Sequence, residues 1–396
     1  MANNGSSTKP RRGRGEGSIV WLEDKKMWFG RLSAGTDDDG KRVIKAFYSK
    51  KNGKKSEVSK KMAEWQRQSD TGYANVSKDT LDEKIKTWLV VIKKQSLKDA
   101  SYDRLESTIN NHIIPALGDY KVGDLSAVII QENLINKMLG KYSYSSIKKV
   151  YDALNAYLKY ALNIREIMFN PMVSVNKPNS THFKERKIDV LADDDIKKLI
   201  AAVSVKYRTG AMKFRYGQAY ILILNTGMRM GEALALKWGD VDLANKTINV
   251  SRNVIIIKNR NGIDSDTKKR KLKIQTSTKS QNGNRIIPLN KAAYSAIKYF
   301  LQQRNSDFVI STKIGGSVYP APFQSTLDSI CREAGIKRFG IHALRHTFAS
   351  KMLESGVDIK VVSKILGHSS VKITYDIYIH VLENQKKNAV ESIDFT

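Results

Sequence analysis

The period of the hydrophobic pattern changes near residue 50, and this change limits the folds open to the chain. Residues 17–48 contain three runs rich in β-branched and aromatic residues, GSIVWL, MWFGRLSA and RVIKAFYS, separated by EDKK and the turn-like GTDDDG. Such runs predict three strands of a small sheet. In the next stretch, KKSEVSKKMAEWQRQS, Val58, Met62 and Trp65 recur at helical spacing. We therefore expect residues 1–70 to form one small domain.

From residue 77 onward the pattern is helical. The stretch SSIKKVYDALNAYLKYALN carries Val150, Leu154, Leu158 and Leu162 on one stripe, as a bundle helix does. Prolines and polar residues in NPMVSVNKPNSTHFKERK predict a linker, after which helical and strand-like runs return. The expected fold is multidomain α+β: a three-stranded sheet plus helix at 1–70, a helical bundle at 77–172, and a mainly α-helical domain with a small antiparallel sheet at 188–396.

The charge of the chain indicates a polyanionic partner. Its 68 Lys and Arg residues exceed the 39 Asp and Glu residues and give a formal net charge of +29. Nucleic acid is favoured over a membrane, because no apolar run approaches the ~20 residues that span a bilayer and the N-terminal segment has no apolar signal core. The lone Cys331 excludes an intrachain disulfide and fits a reducing cytoplasm. The residues expected to contact DNA are Arg11, Arg12, Arg14, Trp28, Arg31, Lys148 and Lys149.

Two basic residues of the C-terminal domain stand at informative positions. In YILILNTGMRMGEALALKWGDVD, an apolar helix breaks at Thr-Gly and a second helix begins near Arg229. A guanidinium beside the unpaired N–H groups of a helix start makes an anion site. Farther on, Asn282-Gly283 predicts a hairpin with Lys279 near its tip. Taken alone, Lys279 is best interpreted as a generic phosphate contact.

The motif HALRH places His342, Arg345 and His346 on roughly one face of a helix. A zinc-protease site would need Glu after the first histidine, where this chain has Ala343, and no carboxylate or cysteine cluster completes a ligand set. We therefore expect no metal. Taken alone, His346 is interpreted as a structural histidine hydrogen-bonded in a core. The remaining interpretation of the motif is a set of cationic donors around an oxyanion.

A candidate nucleophile follows in LGHSSVKITYDIYIHV, where Tyr378 lies ten residues after His368 on an expected short helix. The chain now resembles tyrosine recombinases of the phage integrase type at six positions in order: Arg229, Lys279, His342, Arg345, His368 and Tyr378. The resemblance runs roughly from residue 70 to residue 385. The N-terminal sheet and helix resemble the arm-binding domain of conjugative transposon integrases. Tyr375 competes as nucleophile, but the family's spacing favours Tyr378.

The resemblance implies a site-specific recombinase that needs no metal, ATP or other cofactor. Arg229 and Arg345 would hold the phosphate, and His342 and His368 would donate to the same oxygens or assist the proton of the tyrosine. Lys279 would protonate the departing 5′ oxygen. The resulting 3′-phosphotyrosine keeps the bond energy, so the 5′ hydroxyl of another strand can reverse the step.

Two other functions stay open at this point. One is a catalytically silent DNA-binding regulator on the same fold, and the other is a type IB topoisomerase-like enzyme. The implied partners are double-stranded DNA at core and arm sites, further copies in a synaptic tetramer, and an excisionase-type directionality factor, all in the bacterial cytoplasm at the nucleoid. The tail at 386–396, with the apolar Val390, Ile393 and Phe395, is expected to dock on a folded surface. The resemblance implies a surface of a neighbouring protomer, although the residues themselves leave docking within the same protomer open.

Overall fold

The computed structural model of the protein describes residues 17–36, 42–70, 79–183, 188–260, 270–276 and 284–391. The chain divides into two compact units, Met1–Phe183 and Lys184–Thr396. Helices predominate and the strands form small antiparallel sheets, so the predicted α+β class is confirmed. Across the described ranges, none of the helices has the length and apolar character needed to span a bilayer.

Three antiparallel strands form the N-terminal sheet: β1 Ser18–Leu22, β2 Met27–Thr36 and β3 Arg42–Tyr48. Helix α1, Lys55–Asp70, packs on one face of this sheet, where Leu32, Val58 and Met62 form a small core. Gly30 permits the close approach, because an added Cβ would lie 2.4 Å from the sulfur of Met62. The predicted three strands and the helix after them are confirmed.

Alternation along β2 separates two residues that the sequence analysis grouped. Trp28 packs with Leu32 against the small core, whereas Arg31 is exposed on the opposite face. Residues three apart in a strand point to opposite faces, so one surface cannot hold both. The expected contact of Trp28 and of Arg31 with DNA stays a prediction, and the two side chains lie on opposite faces of the sheet. The residue that shares the face of Arg31 is Phe29, whose ring lies 5.2 Å from that of Tyr48.

A helical bundle follows the sheet. Its segments are α2 Leu81–Trp88, α3 Lys94–Ser96, α4 Asp99–Thr108, α5 Ile114–Leu117, α6 Ala127–Ile130 and α7 Tyr144–Asn163, with π-helical turns at Leu89–Lys93, Ile109–Ile113 and Gln131–Asn136. Helix α2 begins at a capping box, in which Thr80 accepts from the backbone of Glu83 and the Glu83 carboxylate accepts from the backbone of Thr80. In the core, the buried rings of Trp88 and Tyr157 meet edge to face.

The second unit is built around one buried helix. The helices are α8 Asp193–Val203, α9 Gly217–Thr226, α10 Met230–Leu234, α11 Lys291–Gln302, α12 Pro320–Glu333, α13 His342–Glu354, α14 Ile359–Leu366 and α15 Val371–Glu391. The strands are β4 Val241–Asp242, β5 Thr247–Val250, β6 Arg252–Lys258, β7 Arg270–Thr276 and β8 Arg285–Pro288. Helix α9 contacts α8, α10, α11, α12 and α13. It can be surrounded in this way because apolar residues lie on nearly all of its faces. Strands β4, β5 and β8 form one sheet, and β6 pairs with β7.

Two left-handed glycines end the helices that border the candidate site. Gly227, with φ 64°, follows α9, and Gly367, with φ 66°, follows α14. An added Cβ on Gly227 would lie 2.5 Å from a ring carbon of Phe348 and 2.8 Å from a methyl of Leu366. Both the backbone conformation and the packing therefore require glycine here. The close approach brings α9, α13 and α14 together.

We predict that Gly227→Ala destabilises the protein more than Gly335→Ala, which is a matched control. Both glycines have φ 64°, so alanine at either position costs about 1–2 kcal/mol for the left-handed backbone. Nothing lies within 4 Å of an added Cβ at Gly335, whereas the methyl at Gly227 meets Phe348 and Leu366 and adds roughly 1–3 kcal/mol of overpacking. Urea unfolding of the two full-length variants measures the difference. Equal losses of stability would contradict the packing argument.

Candidate active site

A buried carboxylate, that of Glu232, joins two arginines at the start of α10. Arg229 is the N-cap residue of this helix, and both its backbone N–H and its guanidinium donate to Glu232 at 2.8 Å. Arg285, at the start of β8, is buried and donates to the same carboxylate at 2.8 and 3.1 Å. Burial alone would raise the pKa of Glu232, but the hydrogen bonds and charge of Arg285 and the charge of Arg229 lower it to about 2. The carboxylate is therefore ionised at neutral pH.

A second buried arginine, Arg345, enters the cluster from α13. Its guanidinium donates to the carbonyls of Gly227 and Leu366, each at 2.8 Å. Arg229 donates to the same Leu366 carbonyl at 3.4 Å. Burial, together with the charge of Arg229, lowers the pKa of Arg345 to about 9, so the group stays charged at neutral pH. The two arginines from distant parts of the chain thus meet at one carbonyl oxygen.

The C-terminal end of α14 supplies further acceptors. Arg229 donates to the carbonyl of Gly367 at 3.2 Å, and Arg285 donates to that of Ile365 at 2.6 Å. The last carbonyls of a helix have no partners within the helix and carry the negative end of its dipole. This helix end therefore attracts all three guanidinium groups and holds them in one place.

Two of the predicted histidines border the arginines. His342 is the first residue of α13, lies one turn before Arg345 and is exposed. His368 directly follows Gly367, and its Nδ1 lies 2.7 Å from the hydroxyl oxygen of Thr374, a fully buried residue of α15. Burial and the charges of the arginines lower the pKa of His368 to about 4. Its ring is therefore neutral at neutral pH.

Tyr378 is fully buried, with its hydroxyl against a third histidine. Helix α15 departs from helical geometry at this residue, with φ −114° and ψ 20°. The hydroxyl oxygen lies 2.9 Å from Nδ1 of His346, the residue after Arg345. Burial raises the pKa of the phenol to about 12, although the charge of Arg345 acts in the opposite direction. Burial also lowers the pKa of His346 to about 4, so both groups are uncharged at neutral pH.

The competing tyrosine lies at the surface. The side chain of Tyr375 is 49% exposed, whereas that of Tyr378 is 0% exposed. Of the two, it is Tyr378 whose hydroxyl contacts α13, the helix that carries Arg345. Five of the six residues that carry the family resemblance thus lie on or beside one cluster, namely Arg229, His342, Arg345, His368 and Tyr378.

The structure describes only some of the other predicted site residues. Those outside the described residues are Lys279, Arg11, Arg12 and Arg14. On α7 of the first unit, Lys148 forms an ion pair with Asp152 one turn later, and Lys149 is exposed. Within the ranges that the structure describes, no group of three His, Cys, Asp or Glu side chains could hold a metal ion.

Sequence reasoning does not identify Glu232 and Arg285, and it interprets His346 incompletely. A signal for Glu232 exists, because a glutamate three positions after a helix N-cap can accept from the backbone N–H of the N-cap residue, as Glu232 does from Arg229. Arg285 pairs with a carboxylate 53 residues away, which no local pattern indicates. His346 is hydrogen-bonded inside the fold, as expected, but its partner is the hydroxyl of the candidate nucleophile.

Comparisons with known proteins identify the family of the chain. The phage integrase family model matches residues 189–385, and the model of the N-terminal SAM-like domain of phage integrases matches residues 80–139. The tyrosine recombinase XerC-like protein of Caldanaerobacter subterraneus subsp. tengcongensis is 30% identical over 387 residues, which are 92% of this chain and 94% of that protein.

Solved structures show the same fold at lower identity. The Tn1549 transposon integrase, in complex with a circular intermediate DNA, matches with a TM-score of 0.62 and 18% identity over 78% of this chain and 99% of that one. A lambda integrase dimer bound to a core site matches with a TM-score of 0.59 and 16% identity over 93% of this chain and 96% of that one. The chain therefore belongs to the phage integrase family of tyrosine recombinases, the site-specific DNA recombinases that act through a tyrosine.

Proposed function

We propose that this recombinase cuts and rejoins DNA strands at the cluster of Arg229, Arg345 and Tyr378. One observation carries the proposal: both arginines donate to the carbonyl of Leu366, while the residue after Arg345 contacts the Tyr378 hydroxyl. Guanidinium forks match the geometry of phosphate oxygens. A scissile phosphate that replaces the Leu366 carbonyl as acceptor would be bound by both arginines near the nucleophile.

The arginines would stabilise the reaction most in the transition state, where negative charge develops on the phosphate oxygens. Attack on phosphorus adds negative charge to the nonbridging oxygens in a five-coordinate transition state, and fixed donors stabilise that charge without reorganising. His342, exposed at the start of α13, and His368, held by Thr374, would donate to the same oxygens. Because Thr374 engages Nδ1 of His368, the other ring nitrogen is the one that would face the phosphate.

Two proton transfers accompany the exchange of bonds. Tyr378 would lose its phenolic proton as its oxygen bonds to phosphorus, and the departing 5′ oxygen would gain one from Lys279. The product is a 3′-phosphotyrosine with a free 5′ hydroxyl. Since this ester retains the bond energy of the original phosphodiester, attack by a 5′ hydroxyl of another strand rejoins DNA without ATP.

Activation would require movement of α15, because Tyr378 has no exposed surface. The change in backbone geometry at Tyr378 gives the point at which this helix can change direction. The tail at 386–396 extends beyond the nucleophile, and Val390 in it is 66% exposed. We propose that the tail docks on a neighbouring protomer and so couples the position of α15 to assembly.

The proposed assembly is a tetramer on paired DNA sites, in the bacterial cytoplasm. The lambda integrase tetramer, solved on a Holliday junction, supports this arrangement as a relative of the same fold. Core DNA would be bound by the bundle, including Lys148 and Lys149, and by the catalytic domain. An excisionase-type directionality factor would bias the reaction toward excision.

We further propose that the outer face of the N-terminal sheet binds a separate arm site. This face carries Arg31, with Phe29 beside it and Val20, Ile44 and Tyr48 exposed at 48%, 56% and 46%. Antiparallel strands can enter a DNA groove, where an arginine contacts phosphates or bases and flat side chains pack on sugars. The opposite face is covered by α1 and cannot serve this purpose.

The first prediction concerns the nucleophile. Tyr378→Phe removes one hydroxyl, so it should abolish the covalent protein–DNA adduct and leave gel-shift affinity nearly unchanged. A library of nicked duplexes traps the adduct, because the short cleaved strand diffuses away, and sequencing the attached DNA maps the cleavage site. Tyr375→Phe is the matched control and should form the adduct normally. An adduct with Tyr378→Phe but none with Tyr375→Phe would show that Tyr375 is the nucleophile. The protein would still be a catalytic recombinase and not a silent regulator.

The second prediction concerns the leaving group. Lys279→Ala should slow cleavage of the mapped site by ~10²–10⁴, as loss of a general acid does. The same variant should cleave at nearly the wild-type rate when sulfur replaces the bridging 5′ oxygen, because a thiolate leaves without a proton. Single-turnover rates on the two substrates decide the matter. A similar defect on both would make Lys279 a phosphate contact only.

The third prediction compares two charges on the N-terminal sheet. Arg31→Ala should weaken binding to long DNA that contains the mapped site with its flanks, reduce the slope of log K against log salt by about 1, and spare the short core duplex. Lys45→Ala removes the same charge from β3, at the position opposite Leu32 on the face that α1 covers. This control should change neither the affinity for the long DNA nor the salt slope. If both variants behave alike, the outer face has no specific part in DNA binding.

A further inference from the structure

A hydrogen bond joins Tyr378 to His346, two residues that the sequence motifs assign to unrelated roles. The hydroxyl oxygen lies 2.9 Å from Nδ1 across 32 residues of chain, and the ring centroids are 5.9 Å apart. His346 directly follows Arg345 on α13. Core packing alone would be satisfied by any contact between the two rings. It does not explain why a ring nitrogen faces the reacting atom.

The phenol is the donor in this hydrogen bond. Burial raises the pKa of Tyr378 to about 12, so its oxygen keeps the proton at neutral pH, and a buried hydroxyl requires an acceptor. Burial, followed by the charges of His342 and Arg345, lowers the pKa of His346 to about 4. The neutral ring has one nitrogen with a free electron pair. Because Nδ1 faces the hydroxyl, we assign Nδ1 as the acceptor and Nε2 as the protonated nitrogen.

We propose that His346 is a catalytic residue, whose Nδ1 takes the phenolic proton of Tyr378 during strand cleavage and returns it during rejoining. This inference rests on the proposed function, in which Tyr378 is the nucleophile. In cleavage, the bond from the tyrosine oxygen to phosphorus forms, the bond from phosphorus to the 5′ oxygen breaks, the phenolic proton moves to Nδ1, and Lys279 gives a proton to the 5′ oxygen. Rejoining reverses each transfer.

The proton moves during the attack and not before it. Burial holds the pKa of the phenol well above, and that of the imidazole well below, their ordinary values, so complete transfer of the proton in the resting site is strongly unfavourable. As the oxygen bonds to phosphorus, it loses electron density and its proton becomes far more acidic. A neutral imidazole at hydrogen-bond distance can then accept that proton, which is general-base catalysis.

A bound phosphate would make His346 a better base. The titratable or charged groups around its ring are Asp189 before α8, His342 and Arg345 on α13, His368 after α14, and Tyr378 on α15. The charge of Arg345 lowers the pKa of His346, and Asp189 opposes this effect. A phosphodiester on Arg345 offsets the charge of the guanidinium. By this charge effect alone, the pKa of His346 would be higher with DNA in the site than in the resting protein.

Two substitutions of His346 distinguish a role as general base from a role as hydrogen-bond acceptor only. His346→Asn can place an amide oxygen near the position of Nδ1, where it accepts the hydrogen bond but takes no proton. His346→Gly leaves a space for added imidazole. In single-turnover cleavage of a nicked duplex that carries the mapped site, both full-length variants should be slower than wild type by ~10²–10⁴. Gel-shift affinity for the same duplex should not change.

Three further measurements exclude a purely structural role. Imidazole should restore part of the rate of His346→Gly and none of the rate of His346→Asn. The wild-type cleavage rate should fall at acidic pH as His346 becomes protonated, and His346→Asn should lack this fall. Met352→Leu changes another residue packed against the small hydrophobic cluster around Tyr378, and it should keep the wild-type rate.

The outcomes are distinct. Cleavage by His346→Asn at the wild-type rate would overturn the proposal and reduce His346 to a hydrogen-bond acceptor. Faster cleavage by either variant would also overturn it, because the hydrogen bond would then restrain the nucleophile. Should His346→Gly fail to fold, the pH profiles of wild type and His346→Asn still decide. Failure of the wild-type protein to form a Tyr378 adduct would instead overturn the proposed function.

Discussion

The candidate site depends on the carboxylate of Glu232, which lies between two guanidinium groups. Without it, Arg229, Arg285 and Arg345 would place three like charges in a partly buried space, where little water screens their repulsion. Glu232 offsets one charge directly, and the carbonyls of Ile365, Leu366 and Gly367 at the end of α14 accept from all three guanidinium groups. Removing one partner of such a buried network typically costs about 3–5 kcal/mol, because the others keep uncompensated charge. The arginines are therefore fixed before any DNA arrives.

The net charge of the candidate site matches the proposed transition state better than it matches a phosphodiester substrate. Three guanidinium groups and one carboxylate leave a net charge of +2 (3 − 1) on these side chains. A phosphodiester carries about one negative charge, and the five-coordinate transition state carries about two. Interactions that strengthen as this second charge develops lower the barrier, whereas those equally strong in the ground state do not. In the resting protein the guanidinium groups of Arg229 and Arg345 donate to backbone carbonyls. Binding of a phosphate would replace these carbonyl oxygens by phosphate oxygens as acceptors.

The sequence predicts the elements well and their long-range pairings poorly. The period-2 runs and helical stripes indicate the N-terminal sheet and the bundle, and the Thr-Gly break places Arg229 at a helix start. Strand alternation alone is enough to place Trp28 and Arg31 on opposite faces of the N-terminal sheet. The contact of Arg285 with Glu232 and that of His346 with Tyr378 span 53 and 32 residues. Such contacts arise only when folding brings β8 to α10 and α15 to α13, which local periodicity does not encode.

The cluster combines a fixed part with a part that belongs to α15. Arg229, Arg285 and Arg345 are attached to α10, β8 and α13, and all of them donate to the end of α14. Helix α15 makes two histidine contacts instead, one through Thr374 and one through Tyr378. These two residues are four apart and therefore share one face of the helix. A shift of α15 would therefore affect the contact of His368 and the position of the candidate nucleophile together, whereas the three arginines are attached to other elements.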